Sequence, residues 1–362
     1  MSKVPWDFGD LDGYIREGEP GRAERADNWQ TAIGLQAVDG LTTSAYLLEM
    51  AREHIEGRID IAEVQRRIRS YYDDRADREE IEGEQEADVV SSRIAELLGE
   101  RAFTLSPIEL CDIHRRLFDQ LLPRAGKYRN YNITKKEWVL KGETVYYAAC
   151  GTIEETLRYD FTQEHNYSYA NRSSVDIAHH IARFVSGIWQ IHPFSEGNTR
   201  TTAVFVIKYL RTMGYRVDNE PFRNHSWYFR NALVRANYED VTNGVVPTTV
   251  YLERFFENLL CGACHKLKNR YLHLDWPQKK ASQGVASTLQ VTDQVTDQVR
   301  ALLNVLGDRE LSAIELMNSL GLSHRHTFRQ NYLNPALKAG LIERTIPDKP
   351  TSRLQKYRRA GR

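Results

Sequence analysis

The chain has few cysteines, no net charge and no long apolar run, and each absence excludes something. Four cysteines in 362 residues (Cys111, Cys150, Cys261 and Cys264) make no disulfide framework. Lysine plus arginine and aspartate plus glutamate stand at 49 each, so the global balance selects neither nucleic acid nor an anionic membrane. No stretch approaches the ~20 apolar residues of a membrane span. Residues 1–7 lack the apolar core of a signal peptide. A cytoplasmic protein with no membrane partner is therefore expected. Cys261-Gly262-Ala263-Cys264-His265 has the spacing of a covalent haem attachment site, but that chemistry needs export. A closed zinc site would need a second cysteine pair, so neither group is expected there. What remains is ordinary for a globular chain: 41% hydrophobic and 27% charged residues, with length for two or three domains.

One short run stands out: His192-Pro193-Phe194-Ser195-Glu196-Gly197-Asn198-Thr199-Arg200. An imidazole titrates near neutrality and can take a proton from a hydroxyl. A lone carboxylate suits Mg²⁺, which keeps phosphate oxygens and water as its other ligands. Glycine lets the backbone approach a ligand, amides opening a helix attract anions, and arginine grips phosphate with paired N–H groups. Ile177, Ile181, Phe184, Val185 and Ile188 precede the run at helical spacing, and Ser173 with Asp176 opens that helix as a capping box. Val204, Ile207 and Leu210 continue a second stripe to Gly214. The loop is thus expected between two buried helices, held as part of a magnesium-nucleotide site.

This run resembles the signature of the Fic family, matching it at His192, Phe194, Glu196, Gly197, Asn198 and Arg200. The resemblance implies a mainly α fold: a helical Fic core with a β-hairpin flap, a small N-terminal helical module and a C-terminal winged helix-turn-helix. It also implies transfer of AMP from ATP to a Ser, Thr or Tyr hydroxyl of a target protein, with Mg²⁺. In that scheme His192 is the general base and Glu196 holds the metal. Gly197, Asn198 and Thr199 cradle phosphate, Arg200 neutralises its charge, and Phe194 anchors the loop. Two positions depart from the usual pattern: Glu196, where Asp is commoner, and Thr199, where Gly is commoner.

Organisation follows from the same reading. Residues 1–28 are expected as an irregular arm and 29–75 as helices resembling the antitoxins that inhibit Fic proteins. Residues 76–275 form the catalytic core, 276–300 a linker and helix, and 301–362 the winged helix. Gly40 and Gly57 sit where helices end. The family's inhibitory helix carries Ser/Thr-x-x-x-Glu-Gly/Asn; its nearest counterpart is Leu35-x-x-x-Asp39-Gly40, with Asp39 expected to face Arg200. The acidic run 73–88 holds nine carboxylates against Arg75 and Arg78 and reads as a solvated face or linker.

Trp138, Val139 and Leu140, a turn at Lys141-Gly142, and Val145, Tyr146 and Tyr147 predict a hairpin. The resemblance assigns it as the flap, over 134–147, that pins a target segment by strand addition. Tyr228, Phe229 and Asn237 are expected against adenine and ribose.

The repeat Val291-Thr-Asp-Gln, Val295-Thr-Asp-Gln puts Val291, Val295 and Val299 on one helix face, for packing in cis or a homodimer contact. Residues 321–362 hold ten lysines and arginines against Glu343 and Asp348, a charge of +8. That footprint suits DNA contact. The competing readings are a DNA-binding regulator that uses the core as a nucleotide sensor, and a Fic enzyme that transfers another nucleotidyl group or removes AMP.

Overall fold

The computed structural model describes residues 20–73, 82–215, 220–276, 297–307, 309–320, 322, 328–338, 340–346 and 355–360. Two compact units result: residues up to 134 with 145–267, and residues 135–144 with those from 268 onward.

The first unit is helical. It comprises α1 (Pro20–Gly34), a 3-10 turn (Leu35–Asp39), α2 (Ala45–Ile55), α3 (Ile61–Asp73), α4 (Glu82–Gly99), α5 (Pro107–Phe118), α6 (Ile153–Asn166), α7 (Ser174–Ile191), α8 (Asn198–Thr212), α9 (Glu220–Ala236) and α10 (Val250–Cys261). Local sequence sets the starts. Ser106 accepts from the Glu109 amide with Pro107 in the first turn, and Ser173 and Asp176 close the expected capping box. Every residue of α8 from Asn198 to Leu210 is buried, so this helix is the axis on which the others pack.

Three expectations change. The arm does not stay irregular to residue 28, because α1 already begins at Pro20; residues 1–19 lie outside the described ones. The acidic run is not all solvated. Its described end enters α4, where Asp88 is fully buried. Burial is offset by donors: the Ser44 amide at 2.8 Å, the Ser44 hydroxyl, and the Tyr72 hydroxyl at 2.7 Å. The flap turns at Lys141-Gly142 as expected but carries no strand ladder. Trp138–Leu140 is instead a 3-10 turn, with the Gly142 and Glu137 amides bonded across the reversal to the Glu137 and Glu143 carbonyls.

Helix α1 is fastened to α9. Its last residue, Gly34, lies so close to α9 that a Cβ there would sit 2.5 Å from the Arg223 Cα. The Ser226 hydroxyl donates to the Gly34 carbonyl at 2.8 Å.

The second unit contains α11 (Asp297–Leu306), β1 (Leu311–Ser312), α12 (Ala313–Ser319), α13 (Asn334–Lys338), β2 (Ile342–Arg344) and β3 (Lys356–Arg359). Strand order is β1-β3-β2, all antiparallel. Strands β2 and β3 pair side by side, and Ser312 and Glu315 close a capping box at the start of α12. A π turn at Arg329–Leu333, entered from Phe328, leads into α13. Val299 packs into this unit's core with Leu302, Leu306 and Phe328; Val291 and Val295 lie outside the described residues. Arg358 pairs with Glu343 and Glu310, so part of the basic charge is neutralised internally.

Candidate active site

The loop between α7 and α8 is fixed from below by α5 and from its entry side by Arg129. His192 is the C-cap of α7, with left-handed backbone (φ 50°, ψ 60°) and a buried side chain. A left-handed non-glycine residue costs roughly 1–2 kcal/mol and must be held by its surroundings. Arg129 supplies that hold. Its guanidinium donates to the carbonyls of His192 (2.8 Å), Ile191 (3.2 Å), Tyr131 (2.8 Å) and Ala148, while its amide donates to Pro193 at 2.8 Å. Sequence reasoning missed this residue as part of the site. The only signal was an arginine in an otherwise aromatic stretch.

The His192 ring is oriented through Nδ1, 3.2 Å from the Trp189 carbonyl. A carbonyl only accepts, so neutral His192 carries its hydrogen on Nδ1 and its lone pair on Nε2. Tyr147 and Trp189 pack on the ring, with centroids at 4.3 and 5.2 Å.

Beyond His192 the chain closes on itself. The Phe194 amide donates to Asn198 Oδ1 at 3.0 Å, and Asn198 Nδ2 donates back to the Phe194 carbonyl at 2.8 Å. Both ends of the Asn198 amide thus shape the loop. Phe194 is buried and stacks on His114 (3.8 Å, 17°). The Gly126 amide donates to His114 Nδ1 at 2.8 Å, so Nε2 carries the hydrogen that meets the Glu196 carbonyl at 3.0 Å. Burial pulls the His114 pKa down to about 4 and keeps this tautomer neutral. His114 is a second loop determinant that its spacing on a helix did not reveal.

Gly197 has φ +73°, and a Cβ there would stand 2.3 Å from the Phe118 ring. Thr199, unusual at its position, turns its hydroxyl to accept from Trp189 Nε1 at 3.0 Å. Glu196 is exposed at the loop's outer edge. A single outward carboxylate beside the first turn of α8 fits an ion that takes most of its ligands from phosphate and water. Among the described residues no cluster of three or more His, Cys, Asp or Glu forms a metal cage.

Arg200 is buried, lies over the Phe118 ring at 4.8 Å, and meets two carboxylates and one side-chain amide. Nε meets Asp39 Oδ2 at 2.8 Å, Nη1 donates to Gln36 Oε1 at 3.0 Å, and Nη2 to Glu86 Oε1 at 2.6 Å. Burial disfavours the charge, but the carboxylates of Asp39 and Glu86 outweigh it and hold the pKa above the ordinary arginine value. Gly40, left-handed at φ 67°, ends the turn that presents Gln36 and Asp39. The expected Asp39–Arg200 pair is therefore present. Gln36 and Glu86 were not foreseen.

The expected adenine-side residues lie differently. Phe229 is wholly buried among Phe222, Phe255 and Phe256, and Tyr228 is buried with its hydroxyl donating to the Tyr251 carbonyl at 3.2 Å. Neither ring presents a face to a ligand in this conformation, because the apolar side of α9 is spent on packing. Asn237 Nδ2 bonds Ser186 Oγ (2.9 Å) and the Leu233 carbonyl (2.9 Å), tying α9 to α7.

Residues 104–210 match the model of the Fic/DOC family. Residues 297–360 match that of the C-terminal domain of filamentation-induced-by-cAMP protein Fic-like proteins. No curated protein matches the chain. Among solved structures, a Fic family protein from Desulfovibrio desulfuricans G20 aligns at 22% identity and TM-score 0.45, covering 98% of this chain and 94% of its own. The N-terminal FIC domain of Bep8, a VirB-translocated effector from Bartonella sp. 1-1C, aligns at 19% identity and TM-score 0.38, covering 48% and 81%. Among the described residues, no helix is long and apolar enough to cross a membrane. The chain carries a Fic/DOC family domain over residues 104–210, followed by a Fic-like C-terminal domain over residues 297–360.

Proposed function

We propose that this chain is a protein adenylyltransferase, moving AMP from ATP to a hydroxyl side chain of a target protein, and that its resting conformation is autoinhibited. Fic domains in general mediate AMPylation or related nucleotidyl transfer. The observation that carries the proposal is the fixed tautomer of His192. Its Nδ1 is committed to the Trp189 carbonyl, which leaves Nε2 as the basic nitrogen in a loop whose shape is already set.

In this reading the target hydroxyl gives its proton to His192 Nε2 as its oxygen bonds to the α-phosphorus. The bond to the bridging oxygen breaks, and pyrophosphate departs with that electron pair. The amides opening α8 and the Arg200 guanidinium carry phosphate charge. Mg²⁺, held by Glu196, would supply further neutralisation of the phosphates. Asp39, whose Oδ2 lies 2.8 Å from Nε, would set its charge against phosphate at Arg200.

The test is to incubate the protein, its His192→Ala variant and an Asp39→Gly variant with α-labelled ATP and cell extract. Label should enter protein with the intact histidine, more with Asp39→Gly, and none with His192→Ala. If neither the chain nor any extract protein takes up AMP, even with Asp39→Gly and Glu86→Gln combined, the transferase reading fails. Unchanged nucleotide binding and function in His192→Ala would favour a sensor instead.

A further inference from the structure

Arg200 meets two carboxylates that reach it from separate elements. Asp39 closes the 3-10 turn after α1, whereas Glu86 lies on α4. The two acids are about equally open to solvent, with side chains 32% and 34% exposed, while Arg200 is 4% exposed. They stand at different nitrogens: Asp39 pairs with Nε by charge, without an aligned hydrogen bond, while Glu86 accepts from Nη2 and Gln36 from Nη1.

Glu86 is not a stray surface contact. Two residues further along α4, Asp88 is buried and receives hydrogen bonds from Ser44, the N-cap of α2, and from Tyr72 near the end of α3. The helix that presents Glu86 is thereby fastened to α2 and α3, as the turn that presents Asp39 is fastened to α9. Arg200 sits between two acids carried on different elements.

Phosphate recognition by arginine uses a pair of adjacent N–H groups and is opposed by any carboxylate left nearby. Removing Asp39 takes away only one of the two opposing charges. Glu86 would still hold Nη2 and still set a negative charge against an incoming phosphate.

We propose that Glu86 is a second inhibitory carboxylate, so that Arg200 becomes available to the phosphates of a nucleotide only when Asp39 and Glu86 are both displaced. The proposal rests on the reading of Arg200 as a phosphate-binding residue. It makes the resting state a two-part lock, with one part in the N-terminal turn and the other on α4.

The experiment uses the full chain with Asp39→Asn, Glu86→Gln and the double variant, checked for folding by circular dichroism. Two readouts are taken: the rate at which phenylglyoxal modifies Arg200, followed by peptide mass spectrometry, and the affinity for a non-hydrolysable ATP analogue with Mg²⁺ by calorimetry. Because the two acids act on one guanidinium, strong non-additivity is expected, with small changes in each single variant and at least about a tenfold rise in the double. If Asp39→Asn alone reproduces the double variant, or if Glu86→Gln weakens nucleotide binding, the proposal is overturned. An unreactive Arg200 in the double variant overturns it as well. If Arg200 becomes reactive only in the double variant while no nucleotide binds, the lock stands and the transferase reading falls. Should the double variant not fold, Asp39→Asn with Glu86→Asp, which keeps the charge but withdraws it by one methylene, is measured in its place with the same criteria.

Discussion

Gly197 faces the ring of Phe118 so closely that the smallest side chain would overlap it, a Cβ standing 2.3 Å away. The loop therefore needs glycine on two independent grounds, left-handed backbone and lack of space.

Gly197→Ala should destabilise the protein by roughly 3 kcal/mol or more, combining backbone strain with overpacking. Phe118→Leu in the same chain should recover part of that loss by giving the new methyl room. The double-mutant cycle is read by urea unfolding. Equal and additive losses would mean that the ring is not what excludes a side chain.

Thr199→Val should cost about 1–3 kcal/mol, because the Trp189 indole N–H would be left buried without its acceptor. Thr199→Ser keeps the oxygen and should cost less. Denaturant unfolding followed by tryptophan fluorescence separates the two, and equal losses would assign the effect to packing alone.

Arg129→Lys is a drastic change here despite conserving charge. A planar fork reaches four carbonyls at once, while an ammonium has three donors on a flexible stem. We expect a loss of about 3 kcal/mol and faster hydrogen exchange at the amides of Ile191, His192 and Phe194 than along the rest of α7. Uniform exchange across α7 would refute the local role.

Acid pH should act through His114. Folded His114 titrates near 4 and the unfolded side chain near its ordinary 6.5, so the unfolded chain binds the extra proton first. Stability is then full above 6.5 and falls as pH drops toward 4, by about 3 kcal/mol in total. Asp88 has the opposite slope. Burial pushes its carboxyl up to about 7 from 3.8, so its contribution falls as pH rises through that window. Asp88→Asn removes the opposing slope, and its melting temperature should drop more steeply between pH 6.5 and 4 than that of the unmutated chain. Equal slopes in the two proteins would contradict the Asp88 assignment. A His114 imidazole that protonates near 6.5 by NMR would contradict the His114 assignment.

The parts of the site that local chemistry determines were legible in the sequence. The capping box at Ser173 and Asp176, the apolar stripes of α7 and α8 and the glycine at 197 each follow from neighbours a few residues away. The Asp39–Arg200 pair was legible only through a family pattern, since 161 positions separate the partners. Glu86, Gln36, Arg129 and His114 were not legible, because their roles depend on which distant element the fold brings alongside. Tyr228 and Phe229 were misplaced for a related reason. An aromatic residue on an amphipathic helix looks the same whether it faces a ligand or three phenylalanines.

The reciprocal pair between Asn198 and Phe194 has a consequence for control. The loop is cross-braced by its own side chain and propped by His114, so it is rigid before any nucleotide arrives. A nucleotide then pays no entropy to order it, and an inhibitor gains nothing by melting it. In the proposed transferase, activity would be governed by competition for one cation's partners rather than by folding and unfolding of the machinery.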